Sequence, residues 1–215
     1  MKIRLIGDFF ALNSLLAASA ALLYGIPIEI VASALAAVDG IDGRMERVKT
    51  DSGAAIFIDY AHTPDALERM LRALKSAKGN KGRLILVFGC GGDRDRTKRA
   101  EMARIASRLA DVIIITSDNS RTEEPKRIFS DILRGIDKEK EYNVIEDRRA
   151  AIEYAMAISR TGDVIALSGK GHERYEIDRR GRHPFDERQI VKETYERYRY
   201  INSEGGETDE GQYRM

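Results

Sequence analysis

Charged residues that could bind an anion follow the apolar segment Leu84–Phe88, in the stretch GCGGDRDRTKR. Its glycines permit a sharp strand-to-helix turn, and Thr97 is placed to cap the helix that follows. Exposed backbone N–H groups and neighbouring arginines would together form an anion site. The spacing excludes a dinucleotide fingerprint because Arg94 stands where a third glycine is needed, and no GxxxxGK[ST] phosphate loop occurs in the chain. The plainer alternative is a tight turn with solvated charges.

Three other apolar segments also end in polar residues, with the sequences DYAHTPD, SDNSR and SGKGHE. Because the carboxyl ends of parallel strands lie at one edge of a sheet, we expect all four loops to converge there. Converged loops would bring Arg94, Arg121 and Lys170 together with carboxylates and two histidines, a mixture that suits a zwitterionic or phosphorylated ligand. Ordinary turn chemistry could explain each residue singly. A zinc site at His62 and His172 lacks a close-spaced ligand pair.

Strands alternating with helices must position these loops, and the pattern predicts an α/β fold with a mostly parallel sheet and helices on both faces. The predicted strands are 54–59, 84–88, 112–116, 143–145 and 164–168, and the predicted helices between and after them are 64–77, 98–109, 125–135 and 148–159. A β-hairpin over 176–183 and a helix over 187–200 should follow. An Ala-rich hairpin of helices, 12–23 and 27–37, should come first. The polar, Gly-rich segment 202–215 is predicted to be disordered.

Composition restricts the class of protein. Of the 215 residues, 43% are hydrophobic and 33% are charged, which is typical of a soluble globular protein. Lys and Arg (36) nearly balance Asp and Glu (35), so nucleic acid is not an expected partner. The single Cys90 excludes an internal disulfide, fits a reducing compartment, and is better explained as a small residue in the turn than as a nucleophile.

The N-terminal segment imitates a signal peptide, but Asp8 interrupts its apolar core and 11–24 is too short to span a bilayer. We therefore expect a packed helix in a cytoplasmic protein with no membrane partner, and a monomer.

Five motifs in order resemble the C-terminal domain of Mur ligases: GRMERV (43–48), DYAHTPDAL (59–67), FGCGGDRDRTKR (88–99), SDNSRTEEP (117–125) and SGKGHERY (168–175). The chain is similar to the members that add the third peptide residue to the peptidoglycan precursor, and the resemblance covers about residues 5 to 195. It implies a Rossmann-like domain over 43–201. Residues 1–42 would then be the helical end of the central, ATP-binding domain, and 202–215 a disordered tail.

The resemblance also implies a cytoplasmic ligase that uses ATP and Mg²⁺. ATP converts a carboxylate of UDP-N-acetylmuramoyl-L-alanyl-D-glutamate to an acyl phosphate, and the amino group of meso-diaminopimelate displaces the phosphate. The family's phosphate loop, magnesium ligands and modified lysine belong to parts that precede Met1. We therefore expect a truncated chain that carries no catalytic residue and no metal ligand and is inactive by itself.

By position, three residues match the nucleotide side of the family's site: Arg44, Asp59 and His62. Seven match the site of the incoming amino acid: Arg94, Asp118, Asn119, Ser120, Arg121, Gly169 and Glu173. Ser120 stands where diaminopimelate-adding members have proline, and its presence is expected to loosen the loop. Arg121 is retained, whereas lysine-adding members generally lack it, so the resemblance favours diaminopimelate.

Two alternatives remain at this point. The chain could be a stand-alone module that binds an amino acid or a nucleotide without catalysis. It could also be another ligase of the superfamily, similar to folylpolyglutamate or cyanophycin synthetases, although the GKGHE and DNSR stretches argue against this.

Overall fold

A computed structural model describes residues 3–203 of the chain, with side chains through residue 200. The helices are α1 (Asp8–Leu23), α2 (Ile28–Ala37), α3 (Pro64–Lys78), α4 (Thr97–Leu109), α5 (Pro125–Leu133), α6 (Arg148–Ile158) and α7 (Glu187–Ser203). The strands are β1 (Glu46–Val48), β2 (Ala55–Asp59), β3 (Leu84–Phe88), β4 (Val112–Ile115), β5 (Glu141–Val144), β6 (Val164–Ser168), β7 (Tyr175–Asp178) and β8 (Gly181–Pro184).

Six strands form one sheet in the order β1-β2-β6-β3-β4-β5. Strands β2 to β6 run parallel, and β1 pairs antiparallel with β2 at one edge. The sheet places β6 between β2 and β3, so the last apolar segment of the chain lies at its centre. The predicted α/β class with a mostly parallel sheet is confirmed.

Both faces of the sheet are buried, which explains the uninterrupted apolar runs of its strands. Along β3, Leu84, Leu86 and Phe88 pack into one core with α3, α4 and α5. Ile85 and Val87 point to the other face and pack with α6 and α7. This alternation follows from the period of two in strands and places helices on both faces, as predicted.

Local capping fixes where the helices around the site begin. Thr63 caps α3 by accepting from the Ala66 N–H at 3.3 Å, and Asp147 caps α6 by accepting from the Ala150 N–H at 2.7 Å. The predicted cap at Thr97 is wrong. Thr97 is the first helical residue, and its N–H and hydroxyl donate to Asp95 at 2.8 and 2.7 Å, so the carboxylate satisfies the free donors.

The N-terminal helical hairpin is present, but α1 begins at Asp8 rather than at residue 12. Asp8 is the first residue of α1, where a negative charge stabilises a helix. Phe10 of α1 packs into the core beside α3. No helix within residues 3–203 has the length and apolar character needed to cross a membrane.

The other differences from the predicted elements are one additional strand and shifted element ends. The short strand β1 was not predicted. The predicted β-hairpin is present as β7–β8, paired through Asp178 and Gly181. Helix α7 continues through Ser203, two residues into the segment predicted to be disordered, and the rest of that prediction, 204–215, lies outside the described residues.

Candidate ligand-binding site at the carboxyl edge of the sheet

The four polar loops meet at the carboxyl edge of the sheet, joined by backbone hydrogen bonds. Gly169 N–H donates to the Asp59 carbonyl at 3.0 Å, which ties the β6 loop to the β2 loop. Gly92 N–H donates to the Asn119 carbonyl at 2.9 Å, which ties the β3 loop to the β4 loop. These contacts follow from the strand order, because β2, β6, β3 and β4 are successive neighbours.

A polar cluster of Asn119, Arg121, Glu173 and Arg94 lies where these loops meet. The Asn119 carboxamide donates to the Glu173 carboxylate at 2.8 Å. The Arg121 guanidinium donates from Nη1 to the carbonyls of Gly92 and Asn119 at 2.8 and 3.1 Å. Both arginines flank Gly91, where a Cβ would lie 3.0 Å from Arg121 Nη1 and 3.7 Å from Arg94 Cγ.

Within the described part of the chain, the exposed Arg94 guanidinium makes no hydrogen bond or ion pair, so it remains free for an anion. Arg121 uses only Nη1 in its two contacts, which leaves the rest of its guanidinium available. Arg94 and Arg121 flank Gly91, and Asn119 contacts both Arg121 and the Glu173 carboxylate, so the cluster offers two cationic groups and one carboxylate. Such a set can hold a carboxylate and an ammonium of the same ligand.

The loops that carry Arg94 and Arg121 contain left-handed backbone conformations and are held together by side-chain contacts. Arg121 has φ 53° and Asp93 has φ 54°, which for residues other than glycine cost free energy unless neighbouring contacts enforce them. The Asp93 carboxylate accepts from the Thr122 N–H at 3.0 Å and from its hydroxyl. At Gly92 a Cβ would lie 2.0 Å from the Ser120 carbonyl oxygen, so only glycine permits this approach.

Ser120 is buried, and its carbonyl accepts from the Glu123 N–H at 3.1 Å. Strand β7 supports the same loop, because Ile177 accepts from the Arg121 N–H at 3.0 Å and donates to Asn119 Oδ1 at 2.9 Å. These contacts restrain the loop in which the resemblance led us to expect proline.

Buried charges lie beneath the cluster. Burial by itself would raise the pKa of Asp118, but Lys170 and Arg148 beside it more than offset this, so the pKa lies below its usual value. Gly169 has φ 118°, and a Cβ there would lie 2.8 Å from Asp118 Oδ2, so the residue must be glycine. Lys170 is fully buried, and the expectation that it faces a ligand together with Arg94 and Arg121 is wrong.

Two of the predicted nucleotide residues share a cavity of about 440 Å³ between α1 and the sheet domain. Its polar lining includes Arg44, Asp59 and Asn13, and the aromatic ring of Phe10 also lines it. The Asp59 carboxylate accepts from the backbone N–H groups of Met45 and Ala61 at 2.7 and 2.8 Å. Burial raises the pKa of Asp59, an effect that these hydrogen bonds only partly oppose.

Asn13 also lines this cavity and was not among the predicted site residues. Its polar amide on an otherwise apolar helix was the available signal.

His62 does not line this cavity. Its Nδ1 lies 2.8 Å from the Tyr60 carbonyl, which only accepts hydrogen bonds, so Nδ1 carries the proton. Arg44 lies over the Tyr60 ring, 4.9 Å from its centroid.

Cys90 lies within the turn after β3 and is buried against Met102. Burial raises the pKa of its thiol to about 12, so the nucleophilic thiolate is suppressed. Among the described residues, no three His, Cys, Asp or Glu side chains form a group that could hold a metal ion.

Comparisons with known proteins match this chain to one family. Residues 43–171 match the family described as "Mur ligase, glutamate ligase domain". The chain is 48% identical over 194 residues to a UDP-N-acetylmuramoyl-L-alanyl-D-glutamate–2,6-diaminopimelate ligase from Caldanaerobacter subterraneus, covering 90% of this chain and 40% of that protein. It is 46% identical over 196 residues to the protein of the same name from Gloeobacter violaceus, covering 91% and 40% of the two.

A solved structure of a ligase with that name is also similar, with a TM-score of 0.72 at 38% identity. The match covers 93% of this chain and 40% of the solved one. This chain therefore spans about 40% of the length of the relatives that it matches.

Proposed function

Because this chain belongs to the Mur ligase family, we propose that it supplies the amino-acid-binding domain of a ligase of peptidoglycan precursor synthesis. The complete enzyme would use ATP and Mg²⁺, release ADP and join meso-diaminopimelate to UDP-N-acetylmuramoyl-L-alanyl-D-glutamate. Relatives between 45% and 48% identical carry the name of this reaction. The solved folylpolyglutamate synthases that this chain resembles are 22% to 23% identical to it, which supports a shared fold but not a shared substrate.

The cluster of Arg94, Asn119, Arg121 and Glu173 carries this proposal. Meso-diaminopimelate has an ammonium and a carboxylate at each end, whereas lysine has only an ammonium at its distal end. Glu173 is placed to accept from an ammonium, and Arg94 and the free edge of Arg121 are placed to bind a carboxylate. The two arginines therefore favour the ligand with the additional carboxylate.

Other residues of the proposed amino-acid site act by shaping it. Asp118 and Gly169 fix the spacing between the β4 and β6 loops, and Ser120 fixes the approach of Gly92. We assign these three residues to the walls of the site and the four residues of the cluster to direct ligand contact.

The cavity lined by Asn13, Arg44 and Asp59 is proposed to bind the nucleoside part of ATP. Amide, guanidinium and carboxylate groups can pair with ribose hydroxyls and base edges, and Phe10 supplies an apolar wall. His62 is proposed to act at the rim, where its ring packs edge-on against Tyr60. We assign no residue of this chain to Mg²⁺, whose ligands the resemblance attributes to the central domain.

The N-terminal helices are proposed to belong to the preceding, ATP-binding domain, with the boundary at 42–43. Large apolar side chains on α1 and α2 are exposed, including Leu15 at 62%, Leu16 at 70% and Ile30 at 58%. An apolar surface of this kind indicates contact with further protein.

Arg121→Ala tests the amino-acid assignment in the chain itself. We expect the variant to weaken binding of meso-diaminopimelate at least tenfold and to leave the weaker binding of L-lysine nearly unchanged. The loss reflects a charge-assisted hydrogen-bond pair, about 2 kcal/mol. NMR titration of the ¹⁵N-labelled protein measures both affinities, including weak ones.

Arg127→Ala is the matched control, because Arg127 is exposed on the neighbouring helix α5 and its side chain makes no contact with the site. It should bind both amino acids as the wild type does. Equal affinity of the wild type for lysine and meso-diaminopimelate would contradict the proposal.

A further inference from the structure

Lys170 lies beneath the candidate amino-acid site, with its side chain 0% exposed. Its ammonium donates to Asn119 Oδ1 at 3.2 Å and to the Tyr175 carbonyl at 3.1 Å. It also lies 3.6 Å from Asp118 Oδ1 and 5.3 Å from the centre of the Phe185 ring. A buried ammonium is costly unless oxygen atoms surround it, and here three do.

Lys170 is one end of a buried row of alternating charges. Asp118 lies between Lys170 and Arg148, and Arg148 pairs with Glu187 at 2.8 Å. Arg148 donates to the carbonyls of Ser117 and Ser168 at 3.1 and 2.8 Å, the residues from which the β4 and β6 loops depart. The row therefore fixes the positions of both loops relative to the sheet.

The Asn119 carboxamide can be oriented in two ways, and its neighbours decide between them. Lys170 Nζ and the Ile177 N–H are donors only, so both require the oxygen of the carboxamide to face them. The Glu173 carboxylate accepts and therefore requires the NH₂ group on the opposite side. The reverse orientation would place an oxygen against Glu173 and a donor against the ammonium.

We infer that Lys170 is a positioning residue, which holds the Asn119 carboxamide with its NH₂ group directed at Glu173 and at the ligand. It does so from beneath the site and touches no ligand itself. Its role differs from those of Arg94 and Arg121, which face the site. An effect on ligand affinity presupposes the proposed function, whereas the orientation of the carboxamide does not.

Lys170→Met removes the ammonium and retains a side chain of similar length. We expect hydrogen exchange of the Asn119 side-chain NH₂ to become at least tenfold faster, as measured by NMR on ¹⁵N-labelled protein. We also expect the dissociation constant for meso-diaminopimelate to rise at least tenfold. Lys192→Met, an exposed change on α7, is the matched control and should alter neither quantity.

Slow exchange of the β3 backbone amides would show that the variant is folded. In a folded variant, unchanged exchange of the Asn119 NH₂ would overturn the inference. If the Asn119 NH₂ group exchanges faster but the variant binds meso-diaminopimelate as tightly as the wild type does, the role in ligand positioning is overturned. If the wild type binds no meso-diaminopimelate, the proposed function fails, and the exchange measurement still decides the orientation.

The wild-type protein provides a second measurement in case Lys170→Met does not fold. A slowly exchanging Lys170 ammonium signal with a coupling across the hydrogen bond to Asn119 Cγ would support the inference. A Lys170 ammonium that exchanges rapidly and shows no such coupling would overturn it.

Discussion

Arg99 and Glu123 form the ion pair that holds the glycine–arginine turn against the loop after β4. Arg99 is 0% exposed and donates to both Glu123 oxygens, at 2.8 and 2.6 Å, and to the Gly91 carbonyl at 3.2 Å. Glu123 also accepts from the Asp93 N–H at 3.2 Å. The pair therefore stabilises the backbone on which Arg94 and Arg121 stand.

Glu123→Gln should lower the free energy of unfolding by about 2 kcal/mol at neutral pH, because a neutral amide replaces one of the two carboxylates that pair with the buried Arg99 guanidinium, the other being Asp131. Urea denaturation of the wild type and the variant measures the difference. Glu101→Gln on α4 is the control, since Glu101 is exposed. A difference below that of the control would contradict the structural role of the pair.

The difference in unfolding free energy between the wild type and Glu123→Gln should depend on pH. Hydrogen bonds from Arg99 outweigh the effect of burial and lower the pKa of Glu123 from its ordinary 4.5 to about 2 in the folded protein. A carboxylate whose pKa is lower in the folded than in the unfolded protein stabilises the fold at pH values above its unfolded pKa. That stabilisation is lost as the pH falls through its folded pKa. The difference between wild type and variant should therefore be constant above about pH 5 and shrink towards pH 2.

At the scale of elements, helix α1 carries both a buried and an exposed large apolar side chain, and their contributions to stability can be compared directly. Phe10 is 4% exposed and packs into the sheet core, whereas Leu16 is 70% exposed. Phe10→Ala should lower the unfolding free energy by about 3 kcal/mol, whereas Leu16→Ala should change it by less than about 0.5 kcal/mol. Equal effects in urea denaturation would show that α1 packs differently from this structure.

Apolar periodicity and capping residues made the parallel strands and their helices predictable. Each inner strand is a continuous apolar run because both faces are covered, and Thr63 and Asp147 carry the side chains that cap helices. Strand β1 was not predictable in this way. Its three residues, Glu46–Val48, include two charged ones, and its pairing with β2 is a long-range contact.

The chemistry of the site was only partly predictable. Strand order brings Asn119, Arg121 and Glu173 together, and the position of each after a strand was visible in the sequence. The burial of Lys170 was not, because a lysine beside two glycines in a loop is ordinarily solvated. Its burial depends on Asp118, Tyr175 and Phe185, which only the folded chain places around it.

At the scale of the whole molecule, the two candidate sites share no lining residue. The cavity with Arg44 lies against α1, and the cluster with Arg121 lies between β3, β4 and β6. A ligase must bring a nucleotide and an amino acid to the same carboxylate, so separate sites on one domain are consistent with the proposed function. The two sites should respond independently to substitution.

A chimera tests this independence in an intact enzyme. The segment of a relative that precedes the residue equivalent to Gly43, with its own helices and phosphate loop, would be joined to residues 43–215 of this chain. With ATP and UDP-N-acetylmuramoyl-L-alanyl-D-glutamate present, the chimera should release phosphate on addition of meso-diaminopimelate and use L-lysine at least tenfold less efficiently. Binding of the amino acid without turnover would instead favour a stand-alone binding module.

Two substitutions in the chimera serve as controls for each other. Arg121→Ala should raise KM for meso-diaminopimelate at least tenfold and leave KM for ATP within twofold, because its guanidinium lies in the amino-acid cluster. Arg44→Ala should do the reverse, because Arg44 lines the cavity proposed for the nucleoside. Steady-state phosphate release with each substrate varied in turn measures both constants. A parent chimera that prefers lysine would contradict the role of Arg121, since its charge selects for the distal carboxylate that lysine lacks.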